Sequence, residues 1–147
     1  MHGDQFHLAR FLTAQDGVYA SVVKELREGT KTSHWMWFVF PQVRGLGKSA
    51  TAERFALSGV DEAVAYVGHP VLGARLRECV EIVNGLRGLS ALQVFGTPDD
   101  LKFRSSMTLF AVAAPNERLF REALSRYYGG EPDQRTLSLV GKAWEPG

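Results

Sequence analysis

Trp35-Met36-Trp37-Phe38-Val39-Phe40-Pro41 is the stretch on which the fold class turns. Six consecutive apolar residues, rich in aromatic and β-branched side chains, suit a buried strand as well as a buried helix. A lone strand would leave its edges unpaired, and no other segment alternates at period two for more than a few residues. The stretch therefore predicts a short buried helix, stopped by Pro41.

Working outward, helical punctuation dominates. Asp4 can cap a helix whose apolar face is Leu8, Phe11, Leu12 and Gln15, broken at Asp16-Gly17. Tyr19, Val22, Val23 and Leu26 repeat at helical spacing, with Gly29 where a C-terminal cap belongs. A helix is expected from Ala52 to Leu57. Pro70 opens another, with Leu72, Leu76, Cys79, Val80 and Val83 as its stripe and Gly85 or Gly88 as its end. Ser90 starts a short segment ending at Gly96. Thr97-Pro98-Asp99-Asp100 reads as a helix start, with Thr97 capping and acids in the first turn. Pro115 opens a helix carrying Leu119, Phe120, Leu124 and Tyr127, closed by Gly129-Gly130, and a last helix follows Pro132. The expectation is an all-α, mainly helical chain: a single compact multi-helical domain of about eight helices over residues 1–147. No repeat, linker or low-complexity stretch interrupts it.

The composition is that of an ordinary globular chain, with 147 residues, 45% hydrophobic and 22% charged. The 17 basic residues balance 16 acids, which argues against a general nucleic-acid coat or a polybasic membrane binder. Twelve arginines against five lysines favour planar, bidentate contacts. The single cysteine, Cys79, excludes an internal disulfide framework and a Cys-rich zinc site. The start, Met1-His2-Gly3-Asp4-Gln5, has no signal-peptide character, and no apolar run approaches the ~20 residues of a membrane helix. A cytoplasmic protein with no membrane partner is expected.

The distribution of acids is more informative than their number. None occurs from Gly29 to Ala52, although at the chain's average such a window would hold two or three. That window contains Lys31, His34, Arg44 and Lys48. A second acid-free window, Leu101 to Asn116, contains Lys102, Arg104, Ser105, Ser106 and Thr108. Positive, acid-free stretches with hydroxyl and amide donors are what a phosphate or other anion site uses. Chance clustering is the plain alternative.

Gly45-Leu46-Gly47-Lys48-Ser49 resembles the end of a phosphate-binding loop. The full motif needs a glycine five positions before Gly47, where Gln42 stands, so a nucleoside-triphosphatase is not indicated. Flexible glycines can still bring backbone N–H groups to a ligand oxygen, with Lys48 supplying charge; a plain turn between helices fits equally. Ser33 suits an N-cap with His34 in the first turn, where a neutral imidazole can act as acid or base or be purely structural. Trp35 and Trp37, two apart on a helix, point in different directions, so one can wall a pocket while Met36, Phe38 and Val39 fill the core. His69, before Pro70, suits a cap or turn. Cys79 lies on an apolar stripe and reads as a buried, inert thiol. Glu25, Glu28 and Glu53 flank the first window as solvated helix charges or carboxylate bases. No histidine pair has metal-ligand spacing, so neither a metal nor a cofactor is expected.

Taken together, Ser33 to Gln42, Gly45 to Ser49, His69-Pro70-Val71-Leu72-Gly73, Asp100-Leu101-Lys102 and Ser105 to Phe110 resemble domain-of-unknown-function family 1810. Its members often carry the label calpastatin, and no residue here supports a protease inhibitor. The resemblance spans nearly the whole chain and implies a small, mainly helical bacterial domain. That architecture is loosely similar to the helical NADAR superfamily, associated with NAD and ADP-ribose derivatives. No NADAR catalytic residue is carried over to this sequence, and fold alone does not carry function.

Two functions follow as expectations. The first is a site for a phosphorylated or nucleotide-like small molecule, such as an ADP-ribose or NAD derivative, bound or hydrolysed at an N-glycosidic bond. His34 and Gln42 would orient the reacting group. Lys31, Trp35, Trp37, Arg44, Gly47, Lys48, Ser49, Lys102, Ser105 and Ser106 would hold the ligand. The second is a non-enzymatic protein-interaction domain with the aromatic run or the Tyr127-Tyr128 face as hot spot. A nucleic-acid stripe through Arg104, Arg118, Arg121 and Arg126 ranks third. The oligomeric state is left open.

Overall fold

A computed structural model describes residues 4–145; Met1-His2-Gly3 and Pro146-Gly147 lie outside the described residues, and so does that part of the amino-terminal stretch without signal-peptide character. The described residues form ten helices and no strand. In chain order these are α1 (Ala9–Asp16), α2 (Tyr19–Arg27), α3 (Met36–Val39), α4 (Ala50–Arg54) and α5 (Val60–Gly68). They continue as α6 (Leu72–Gly85), α7 (Ala91–Phe95), α8 (Asp99–Ala113), α9 (Arg118–Tyr128) and α10 (Gln134–Val140). The count is ten rather than about eight. Three of the helices, α3, α4 and α7, are single turns. A fourth, α5, lies outside the expected helices, although Asp61 and Glu62 stand in its first turn and Pro70 follows its end.

Local chemistry explains most of the boundaries. Both carboxylate oxygens of Asp4 accept backbone N–H groups, from Leu8 and Ala9, at the start of α1. Ser90 and Gln93 form a reciprocal capping box on α7. Asp133 caps α10 through the Thr136 N–H. His69 Nδ1 accepts the N–H groups of Val71 and Leu72 and so caps the entry to α6. The helix expected from Ala52 to Leu57 runs instead from Ala50 to Arg54, because Ser49 caps it earlier and Leu57 pairs its backbone with Gln42 and Arg44. Two other starts differ from expectation. Thr97 makes no cap, since Pro98 occupies the N-cap position of α8 without a side-chain bond. Helix α9 begins at Arg118 rather than Pro115, because Pro115 and Asn116 first make a turn closed by Glu117 N–H to Ala114 C=O.

Helix α8 is the axis of the molecule. Phe103 and every residue from Ser105 to Ala111 are buried, so the helix is covered on all sides. Helices α5, α7, α9 and α10 pack around it. This burial also accounts for the second acid-free window: an unpaired carboxylate inside the core would cost several kcal/mol.

Aromatic rings connect the elements across this core. Phe40, just past α3, meets Phe103 edge-on at 4.9 Å and Phe95 at 6.0 Å, and Phe95 stacks on Phe103 at 4.6 Å. Farther along α8, Phe110 meets Tyr66 at 5.5 Å and Phe120 at 5.6 Å. The Trp35–Phe40 stretch is thus a one-turn helix seated in the core, with Trp35, Met36, Val39 and Phe40 buried and Trp37 and Phe38 half-buried. Truncating Phe103 to alanine removes a ring from the centre of this cluster and is expected to cost about 3–5 kcal/mol. Urea unfolding followed by far-UV circular dichroism checks it; a loss well under 1 kcal/mol would show that these rings do not pack as a unit.

Candidate functional site

The site is built on a carboxylate that the sequence suggests is solvated. Glu25, in the last turn of α2, is only 7% exposed. Its Oε1 accepts the backbone N–H of Thr32 at 2.8 Å, that of Ser33 at 3.0 Å and the indole Nε1–H of Trp35 at 2.9 Å. The Ser33 hydroxyl donates to Oε2. Burial by itself raises the pKa of this carboxyl; the donors from Ser33, Thr32 and Trp35 outweigh it and bring the value down to about 2. Ser33 therefore anchors a loop rather than capping α3, whose N-cap position is Trp35 without a side-chain bond.

A second acid extends this brace. Lys31, its side chain 7% exposed, places Nζ 2.8 Å from Asp99 Oδ2 and 2.6 Å from the Ser33 carbonyl, over the Trp35 ring. The other oxygen of Asp99 lies 3.4 Å from Lys102 Nζ, which stands 4.9 Å above the Trp37 ring. Each indole thus carries a lysine, and Asp99 joins the two.

The loop between α3 and α4 is held in place by backbone. Arg44 N–H donates to Leu57 C=O at 2.7 Å and Leu57 N–H to Gln42 C=O at 2.9 Å, forming an isolated parallel bridge. Gly45 has a φ of 108°, and a side chain there would press on Leu139 of α10. A Cβ on Gly47 would lie 2.6 Å from that of Ala52, so only glycine lets the loop lie against α4.

Loop, α8 and α10 together enclose a cleft of about 350 Å³. The loop contributes Gln42, Leu46 and Gly47; Pro98, Leu101, Lys102, Arg104 and Ser105 come from the α8 side; Asp133 and Arg135 come from the start of α10. Its three cations face one carboxylate. Asp133 Oδ2 is already engaged, accepting from Ser105 Oγ, Thr136 N–H and Thr136 Oγ1.

The expected residues divide accordingly. Gln42, Gly47, Lys102 and Ser105 line the cleft, and Trp37 adjoins it, sharing a small recess with Gln42 and Gly47. Lys31 and Trp35 are instead bound into the interior brace by Asp99 and Glu25. The Ser49 hydroxyl caps α4, accepting the Ala52 N–H at 3.1 Å. Ser106 is fully buried and turned away from Ser105, as a 100° step along a helix requires. His34, Arg44 and Lys48 are exposed and do not line the cleft. Arg104 and Arg135 are cleft residues outside the expected set. Arg104 stands three residues after Leu101 on the same helix face, so helical spacing could have found it; Arg135 arrives only through tertiary packing. Cys79 is fully buried, and burial pushes its thiol up to about 12, which removes it as a nucleophile. Among the described residues no group of three or more His, Cys, Asp and Glu is placed to hold a metal ion. No helix there is long and apolar enough to cross a membrane.

The model of a family described as "Protein of unknown function (DUF1810)" matches residues 5–140. The chain belongs to the DUF1810 family. It is also similar to the crystal structure, at 1.38 Å, of the conserved hypothetical protein Rv1873 from Mycobacterium tuberculosis. The two are 53% identical and superpose with a TM-score of 0.93 over 95% of this chain and 100% of that one. No curated protein matches the chain.

Replacing Glu25 by glutamine leaves three donors with a weaker acceptor and is expected to cost about 2–3 kcal/mol at neutral pH. The folded-state pKa lies below the ordinary value of 4.5, so the carboxylate's contribution is fully present above 4.5 and is lost as pH falls toward 2. Urea unfolding of both proteins at pH 7, 4 and 3 should show the gap between them narrowing; a gap independent of pH would mean that Glu25 is not the anchor.

Proposed function

We propose that the cleft between the α3–α4 loop, α8 and α10 is a binding site for a phosphorylated or nucleotide-like small molecule, with ADP-ribose and NAD derivatives among the candidates. One observation carries this. Gln42, Gly47, Lys102 and Ser105, which stand out in sequence for anion chemistry, line a single cleft with two further arginines. Lys102 and the arginines supply charge, Gln42 an amide with no side-chain partner among the described residues, and Ser105 a hydroxyl. Trp37 lies beside the cleft, half-buried, with a ring face directed at Lys102. Binding fits these groups better than N-glycosidic hydrolysis. His34 stands outside the cleft, and Asp133 is committed to holding α10.

A protein-interaction surface built on the aromatic residues has less support. Trp35 is 2% exposed, and the hydroxyls of Tyr127 and Tyr128 donate inward to the carbonyls of Val83 and Asp100. These rings hold the fold together and leave no flat aromatic patch for a partner.

Calorimetry and thermal shift with ADP-ribose, NAD and the nucleoside mono-, di- and triphosphates test the proposal. At least one should bind at millimolar concentration or below, and Lys102→Gln should weaken it about tenfold, the value of one charge-assisted hydrogen bond. No response from any of them at millimolar concentration would overturn it.

A further inference from the structure

We infer that the cleft recognises a terminal phosphate monoester, gripped end-on by Arg104, in preference to the bridging phosphates of a dinucleotide. The inference rests on the proposal that this cleft takes a phosphorylated ligand, and it names the class.

Arg104 is held from behind. Its Nε donates to the Glu131 carbonyl at 2.9 Å, and its guanidinium lies 5.6 Å over the Tyr128 ring. Tyr128 is itself fixed, donating its hydroxyl to the Asp100 carbonyl. The two terminal nitrogens of Arg104 have no hydrogen-bond partner among the described residues. An arginine with Nε occupied offers only its end-on fork, two parallel N–H donors that match two oxygens on one atom. Carboxylates and phosphates both present such a pair.

The remaining charges choose between them. Lys102 and Arg135 line the same small cleft, and Arg135 is exposed and without a partner among the described residues. Asp133 opposes them from the α10 side, its Oδ2 turned to Ser105 and Thr136, and Asp99 holds Lys102 from behind. A terminal phosphate has three free oxygens and about −1.5 to −2 charge at neutral pH. Each bridging phosphate of a dinucleotide has two free oxygens and one charge. Three cations lining one small cleft suit the first. Size agrees: about 350 Å³ is at the low end of the roughly 300–1,000 Å³ of small-molecule sites, room for one phosphate and a modest body. Leu46 and Leu101, both in the lining, offer that body an apolar wall.

The test is isothermal calorimetry on the full chain at pH 7.5 with AMP, ribose 5-phosphate, adenosine, adenosine 3′,5′-cyclic monophosphate and NAD. The monoesters should bind about tenfold or more tighter than the cyclic diester and NAD, and adenosine should not bind. Arg104→Lys, which keeps charge and loses the fork, should weaken monoester binding about tenfold or more. Arg135→Gln, on an exposed side chain, should weaken it by a smaller factor and guards against a folding defect at Arg104. Equal binding of AMP and ribose 5-phosphate would mark the phosphate as the handle, and tighter AMP would add a base contact; both support the inference. Diester or NAD binding that equals or exceeds that of the monoesters would overturn it while sparing the anion site. So would an Arg104→Lys protein that binds as the parent does. Silence from all five ligands would remove both readings.

Discussion

A carboxylate cannot lie alone in an apolar interior. Glu25 is buried, and the cost is met by donors that come from one short loop: two backbone N–H groups, a hydroxyl and an indole N–H. Meeting that requirement bends residues 30–35 back over α2 and delivers Trp35 into the core beside Phe40. Once Trp35 is inside, Trp37 is directed elsewhere, toward Lys102 at the edge of the cleft. The same loop carries Lys31 to Asp99 on the first turn of α8. One buried charge therefore sets the orientation of both indoles and ties α2 to the end of the central helix.

Helix α8 changes character along its length. From Ser105 to Ala111 it is buried all round, while Asp99, Lys102 and Arg104 reach solvent. The cleft forms at this boundary, where a rigid, fully packed element emerges and can present charged groups in fixed positions. Its other wall is attached by the same helix. Thr108 donates its hydroxyl to the Arg104 carbonyl at 2.8 Å and accepts the Asp133 N–H at 2.9 Å, and Ser105 reaches the Asp133 carboxylate. Buried Thr108 and Thr136 are thus the polar joints between α8 and α10, and they set the spacing of Arg104 and Arg135.

Features that depend on near neighbours along the chain are legible in the sequence itself. Caps and prolines locate α6, α7 and α10 closely, since Ser90 with Gln93 and the glycines after helices act within a few residues. Helix α5 carries only weaker signals of this kind, acids in its first turn and a proline two residues past its end. Glu25 reads as a surface charge, because the partners that bury it become neighbours only when the loop folds back. The second acid-free window has one cause that the fold itself supplies. In it, Ser105 to Ala111 are core positions, and Lys102, Arg104 and Ser105 line the cleft. Composition alone cannot separate burial from anion binding, since both exclude carboxylates. Arg135 lies outside both windows and joins the cleft only through the packing of α10.

The near-neutral chain acquires a positive cleft through the way its acids are spent. Asp99 is divided between Lys31 and Lys102, Asp133 is turned toward Thr136 and Ser105, and Glu25 is enclosed by four donors. Asp99, Asp133 and Glu25 each have a structural duty, while Asp133 also lines the cleft and Asp100, one turn before Arg104, keeps a buried carboxylate oxygen without a partner among the described residues. Arg104 is oriented by a carbonyl and a ring, partners that fix its direction without pairing its charge in a salt bridge. A carboxylate in place of the Glu131 carbonyl would hold the guanidinium equally well and would cancel the field at the cleft. Holding a cation with neutral groups leaves its charge available at the cleft, as the proposed anion site requires.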